Sequence, residues 1–226
     1  MTTFVLLHGS GDGGWHWRAV VRALRGLGHA AVAPDLPTVR DDLTWEQCAD
    51  TVVDALGGPR DAVVVGHSAG GFLVPLVAER LSAVRAVYVA GMVPRAGEDG
   101  YGWFDALGWS AAVAEQGRLD GVTGSADPAV TFHHDVPGDV AEEAVRHERP
   151  VGDALALRPW PEVEVLAVPS AYVVTTADRF LPPPLQRRVA AARLGVTAPL
   201  EIASGHCPHL SRPEELAGLL AATSEQ

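Results

Sequence analysis

Ala62-Val63-Val64-Val65-Gly66-His67-Ser68-Ala69-Gly70 joins four consecutive apolar residues to a serine flanked by glycines. The apolar run reads as a strand covered on both faces, and Gly66 to Gly70 reads as a sharp turn into a helix over residues 69–81. A GxSxG pattern at such a junction holds its serine on a strained backbone at the start of a helix, where side chains at the flanking positions would collide with neighbouring elements. The free N–H groups there, beginning with that of Ala69, are placed to stabilise a developing oxyanion. Ser68 is therefore the candidate nucleophile.

On either side of this stretch, similar apolar runs stand at 4–7, 30–33, 84–90, 171–175 and 199–203, most of them separated by helical periodicity at 17–27, 44–56, 185–194 and 213–222. Alternating strands and helices imply a mostly parallel sheet of about six strands with helices on both faces, an α/β fold. Thr44 and Ser211 read as helix caps. Pro75 falls inside the helix expected over 69–81 and should bend it, at about 3 kcal/mol. The rhythm stops between residues 94 and 168, where Trp103, Phe104, Trp109, Phe132 and Trp160 stand among glycines and prolines. Aromatics at that density must cover something, so 94–168 is expected to be an inserted, largely helical cap on a core made of 1–93 and 169–226.

The 226 residues are 47% hydrophobic, 20% charged and 6% aromatic, the make-up of one ordinary domain. A net charge of −11 without a basic run argues against nucleic acid and anionic membranes as partners. Lysine is absent, which excludes a Schiff-base lysine, pyridoxal phosphate chemistry and a Walker-type phosphate loop. Cys48 and Cys207 form no CxxC pair, and no apolar run nears the roughly 20 residues that span a bilayer. A cytoplasmic protein is the expectation.

A serine hydroxyl needs a base oriented by a carboxylate. Asp178 follows the run ending at Thr175, and His206 follows the last run, so the order Ser68, Asp178, His206 is that of three groups emerging at the carboxyl ends of parallel strands. His209 is the nearest rival to His206, and Asp35 competes with Asp178. The loop His8-Gly9-Ser10-Gly11-Asp12-Gly13-Gly14 should supply a second oxyanion donor, the Ser10 N–H, with the Asp12 carboxylate turned away toward arginine or water. That loop also satisfies GxGxxG, with Asp35 at the end of the next run, the elements of a dinucleotide site. Against it, Trp15-His16-Trp17 would crowd the helix start where pyrophosphate docks. Two histidine groups invite a metal reading, His133-His134-Asp135 and His206 with His209, but adjacent histidines point in different directions and the second pair has Pro208 inside it and no acidic partner nearby, so no metal site is expected at either.

With these residues in place the chain resembles the α/β-hydrolase fold, and within it the esterase and hydroxynitrile lyase family that includes plant methylesterases and many bacterial esterases. The resemblance rests on Phe4-Val5-Leu6-Leu7-His8-Gly9 with Gly13-Gly14-Trp15, the elbow from Gly66 to Gly71, Asp178-Arg179-Phe180-Leu181-Pro182, and Gly205-His206-Cys207-Pro208 with Ser211-Arg212-Pro213. It implies a Ser68, Asp178 and His206 triad, oxyanion N–H groups from Ser10 and Ala69, and a cap over 94–168. Lyase members carry threonine and lysine where Gly9 and Cys207 stand, so cyanogenesis is not expected. The implied activity is a serine hydrolase of carboxylesterase type, without cofactor or metal, acting on small apolar esters. A non-hydrolytic receptor on the same fold is the alternative.

Overall fold

The computed structural model describes residues 1–38, 40, 42–57, 61–163, 165 and 168–224. Residues 164, 166 and 167 of the expected insertion lie outside the described residues. The elements run β1 (Thr3–Leu7), α1 (Arg18–Gly26), β2 (Ala30–Val32), α2 (Trp45–Ala55), β3 (Ala62–His67), α3 (Val74–Arg80) and β4 (Arg85–Val89). Then come α4 (Gly100–Ala106), α5 (Trp109–Asp120), α6 (Pro128–Thr131), α7 (Gly138–Arg146) and α8 (Asp153–Ala156). The chain ends with β5 (Ser170–Thr175), α9 (Pro183–Leu194), β6 (Leu200–Ile202), α10 (Pro208–Ser211) and α11 (Pro213–Thr223).

Among the described residues the strands form one parallel sheet of six, in the order β2-β1-β3-β4-β5-β6. Side chains alternate across a strand, so each buried run feeds two cores. Phe4, Leu6, Val63, Val65, Val87 and Val173 pack with Trp17, Val20 and Leu24 and with Leu216, Ala217 and Leu220 of α11. Val5, Leu7, Val64, Tyr88 and Val174 face the other way, onto residues of α2, α3 and α9. The order reverses between β1 and β3, and in open parallel sheets the crevice beyond the strand ends at such a reversal is where ligands bind.

Thr44 caps α2 as expected: its Oγ accepts the Gln47 N–H while the Gln47 side chain takes the Thr44 N–H at 2.9 Å. Two local expectations are corrected. The segment after Ser68 is not one helix: a 3₁₀ turn over Ser68–Phe72 precedes α3, and Pro75 stands in the first turn of α3, where its missing N–H has no intrahelical partner to lose. Ser211 caps nothing; it ends α10, and its hydroxyl lies 2.8 Å from that of Ser204.

The segment between β4 and β5 is tied down by its tryptophans. Trp103 Nε1 donates to Val93 O at 2.9 Å, Trp160 Nε1 to Phe72 O at 2.9 Å, and Trp109 Nε1 to Phe180 O at 2.7 Å. Arg193 of α9 grips Glu98 with two bonds of 2.7 and 2.8 Å, both side chains nearly buried. These contacts fix the segment to the carboxyl edge of the sheet.

Candidate active site

Ser68 follows β3 directly and has φ +49°, the left-handed region that costs a non-glycine residue roughly 1–3 kcal/mol. Neighbours impose it. A Cβ at Gly70 would stand 2.5 Å from the His8 carbonyl oxygen, and one at Gly66 would strike Val74, so only glycine lets β1 and α3 close on the turn. The Met92 N–H holds the Ser68 carbonyl at 2.9 Å.

His206 and Asp178 arrive from loops after β6 and β5. The Ser68 hydroxyl lies 3.1 Å from His206 Nε2, and His206 Nδ1 lies 2.8 Å from Asp178 Oδ2. A carboxylate accepts, so Nδ1 carries the ring proton and Nε2 is left as the acceptor for the serine O–H. All three residues are buried. Asp178 is held on every side: Oδ1 accepts the N–H groups of Phe180 and Leu181 at 2.8 and 2.9 Å, and Oδ2 accepts Thr175 Oγ1 and Gln186 Nε2, both at 2.9 Å. The structure thus brings together the three side chains read from sequence. It separates their rivals: Asp35 accepts the Gly14 N–H at 2.8 Å, and His209 packs in the interior with its ring 5.0 Å from that of Trp17.

Several positioning groups have no signal in the sequence. Asp135, from the segment between β4 and β5, accepts the Gly205 N–H at 2.7 Å and the Ser204 hydroxyl at 3.1 Å, clamping the loop that carries His206. His67 Nε2 donates to the His206 carbonyl at 2.8 Å. Gln186 is fully buried, which polar residues tolerate only when bonded, and that burial is visible only in three dimensions.

The glycine-rich loop after β1 lies beside Ser68, and Ser10 and Ala69 line one cavity with it. The Gly13 N–H is taken by His16 Nδ1 at 3.0 Å and the Gly14 N–H by Asp35, so two donors a pyrophosphate would need are engaged inside the loop. The expectation for Asp12 is corrected. It faces no arginine but a group of buried imidazoles beside the cavity at Ser68, with Oδ1 3.4 Å from His16 Nε2 and Oδ2 3.9 Å from His67 Nδ1 and 3.8 Å from His209 Nε2. Burial, reinforced by the Glu148 charge and opposed by His206, pushes the Asp12 carboxyl up to about 7. Burial holds His67 and His209 well below the usual imidazole range, and it lowers His8 and His16 to about 4.

Two cavities meet at Ser68. One, of about 250 Å³, is walled by Trp45, Phe72, Met92, Tyr101, Phe104 and Phe180. The other, of about 430 Å³, is lined by apolar Pro128, Phe132 and Phe180 and by polar Asp12, His133 and Glu148. Phe132 and Phe180 stand over the His206 ring with centroids 5.5 and 5.1 Å away. Of the insertion aromatics, Phe104 and Phe132 line these cavities, Trp103 is core, and Trp109 lines a separate one. The arrangement presents a hydroxyl with a proton acceptor in reach, an imidazole oriented by a carboxylate, and apolar walls, which together can activate an oxygen nucleophile.

A parallel sheet whose third strand ends in a strained serine elbow, with acid and histidine on later strand ends, defines the α/β-hydrolase architecture. The chain belongs to the alpha/beta hydrolase family, whose model matches residues 4–219. It is 36% identical over 107 residues to the probable esterase PIR7A of Oryza sativa subsp. indica, a match covering 42% of this chain and 41% of that one. The chain therefore spans about two fifths of the length of the first curated relatives it matches. It is 27% identical over 226 residues to the probable hydrolase R7 of a Phoma species, covering 91% of each. Among solved structures, polyneuridine aldehyde esterase superposes with a TM-score of 0.76 at 21% identity over 99% of both chains, a likeness of fold. No described helix is long and apolar enough to cross a membrane.

Proposed function

We propose that the protein is a cofactor-independent serine hydrolase that cleaves carboxylic esters of small or aromatic apolar compounds through an acyl-enzyme. The observation that carries this reading is the continuous chain of contacts from Ser68 Oγ through the His206 ring to the Asp178 carboxylate. His206 Nε2 takes the serine proton as Oγ attacks the ester carbonyl, and Asp178 stabilises the imidazolium that forms. The oxyanion meets the N–H groups of Ala69, at the free start of the 3₁₀ turn, and of Ser10 on the facing loop. His206 returns the proton to the leaving alkoxide, and water then cleaves the acyl-enzyme by the same route. Residues 94–168 act as a cap, shedding water and adding Tyr101, Phe104 and Phe132 to the aromatic walls that Trp45, Phe72 and Phe180 of the core begin, a lining that fits an apolar ester.

The hydrolase and esterase names of the rice and Phoma relatives support this reading. The net charge of −11 supports a small-molecule partner over nucleic acid or anionic membrane, and two buried free thiols fit a reducing cytoplasm. Intact mass after a fluorophosphonate probe tests the reading. One adduct is expected, mapping to Ser68 and lost in Ser68→Ala, together with a turnover loss of about 10⁴-fold or more in that variant. A folded wild-type protein that takes no adduct, or a Ser68→Ala variant that hydrolyses esters like the wild type, overturns it.

A further inference from the structure

Beside the Ser68 site, the loop after β1, the end of β3 and helix α10 bring three electron-pair donors to one point. Asp12 Oδ2 lies 3.9 Å from His67 Nδ1 and 3.8 Å from His209 Nε2, and the three donor atoms all lie within 4.8 Å of one another. We propose that Asp12, His67 and His209 bind a divalent transition-metal ion of the zinc class, with an open coordination position toward the cavity that contains Ser68.

The ring tautomers point to a cation. His67 Nε2 donates to the His206 carbonyl at 2.8 Å, and a carbonyl only accepts, so in the neutral ring Nδ1 is a bare lone pair. That lone pair is buried, has no hydrogen-bond partner and faces a carboxylate oxygen. Two acceptors facing each other in the interior are unfavourable unless something electropositive, a proton or a metal ion, lies between them. His209 Nε2 completes the triangle, also fully buried and without a partner, and is free to present its own lone pair. Zinc bonds of about 2.0–2.1 Å set tetrahedral ligand atoms roughly 3.3–3.5 Å apart, so the two edges at Asp12 need to close by about half an ångström and the edge between the imidazoles by no more than about 1.5 Å.

One outer contact also matches that of a metal ligand, whose second ring nitrogen is commonly held by a backbone carbonyl. His67 has this feature, whereas neither ring nitrogen of His209 has a hydrogen-bond partner. Beside the carboxylate, His16 Nδ1 accepts the Gly13 N–H at 3.0 Å, and its Nε2 stands 3.4 Å from Asp12 Oδ1. Asp12 and His67 also line the cavity of about 430 Å³, which provides an entry path. Two histidines and one carboxylate with a vacant fourth position are the donor set of an open zinc site.

Cobalt(II) titration of chelator-stripped protein tests this by its visible absorption, independently of any hydrolysis. One equivalent is expected to bind with tetrahedral-type bands, to be displaced by zinc, and to survive His133→Gln, which removes a neighbouring histidine outside the triangle. Asp12→Asn and His209→Gln should each weaken binding at least about 100-fold. Anomalous diffraction from a zinc-soaked crystal should place the ion within bonding distance of all three atoms, which keeps the test decisive if a variant fails to fold. No stoichiometric binding, as when a bridging water satisfies these atoms, overturns the proposal. So does binding that persists in both variants, or an ion found elsewhere.

Discussion

Gln186, in the first turn of α9, donates through Nε2 to Asp178 Oδ2 at 2.9 Å, while its Oε1 accepts the Thr175 N–H at 3.0 Å. One buried amide thus locks the end of β5 to the carboxylate that orients His206. Gln186→Leu should leave these groups short of partners and lower stability by about 2 kcal/mol. It should also lower kcat/KM for an aryl ester about tenfold as Asp178 loosens. Urea denaturation beside steady-state kinetics measures both, and a variant unchanged in both shows that Gln186 positions nothing.

Asp178→Asn keeps the shape of the site but reverses the hydrogen-bond direction at His206 Nδ1, favouring the tautomer that cannot accept the serine proton. A loss of about 10⁴-fold in kcat is expected, together with a lower melting temperature, because the new amide NH₂ meets donors that the carboxylate accepted from. A drop below tenfold would remove Asp178 from the proposed triad.

The left-handed backbone at Ser68 predicts an order of stability between two inactive variants. Ser68→Gly relieves the Cβ clash that Ser68→Ala keeps, so glycine should be the more stable by about 1 kcal/mol despite its greater unfolded-state freedom. Chemical denaturation of the pair reads the difference, and alanine matching or exceeding glycine would mean that the elbow stores little strain.

His8 sets a pH dependence. It is buried after β1, its Nε2 accepts the Leu36 N–H at 2.9 Å, and its Nδ1 faces the Gly9 carbonyl at 2.8 Å, so the neutral ring is the one that fits. Burial lowers its pKa from 6.5 to about 4, with Arg149 and His16 adding to the effect. The unfolded chain therefore takes up a proton that the folded chain refuses. Stability is whole above pH 6.5 and is lost as pH falls from 6.5 toward 4, by about 3 kcal/mol from this ring. His8→Gln should lose less stability than the wild type across that window. Parallel slopes of unfolding free energy against pH would assign the acid sensitivity elsewhere.

Much of the site is legible in the sequence because its chemistry follows strand ends. Ser68, Asp178 and His206 each come soon after an apolar run, and the end of a parallel strand is where a loop residue reaches the crevice. The loop after β1 is legible for the same reason, its glycines being the residues that permit close approach to Ser68. Asp135 and Gln186 are not legible: a carboxylate in a surface-like stretch and an amide in a polar helix turn carry no mark of the groups that they meet. The surroundings of Asp12 are hidden as well, because only the packing of the loop after β1 against the end of β3 and against α10 shows that three imidazoles crowd that side of the loop. The harmless position of Pro75 is hidden because periodicity does not distinguish one helix from a 3₁₀ turn followed by another.

The alternation of strands and helices, the buried parallel sheet, the serine elbow and the order of the three reactive side chains are all written in the linear chain, since they follow from local periodicity and from steric rules acting within a few residues. Which aromatics of the inserted segment face Ser68, what holds Asp178 and His206, and the meeting of Asp12 with His67 and His209 are settled in three dimensions alone. Those contacts join residues distant along the chain, and such meetings are set by how the sheet twists and the helices pack rather than by any short run of letters.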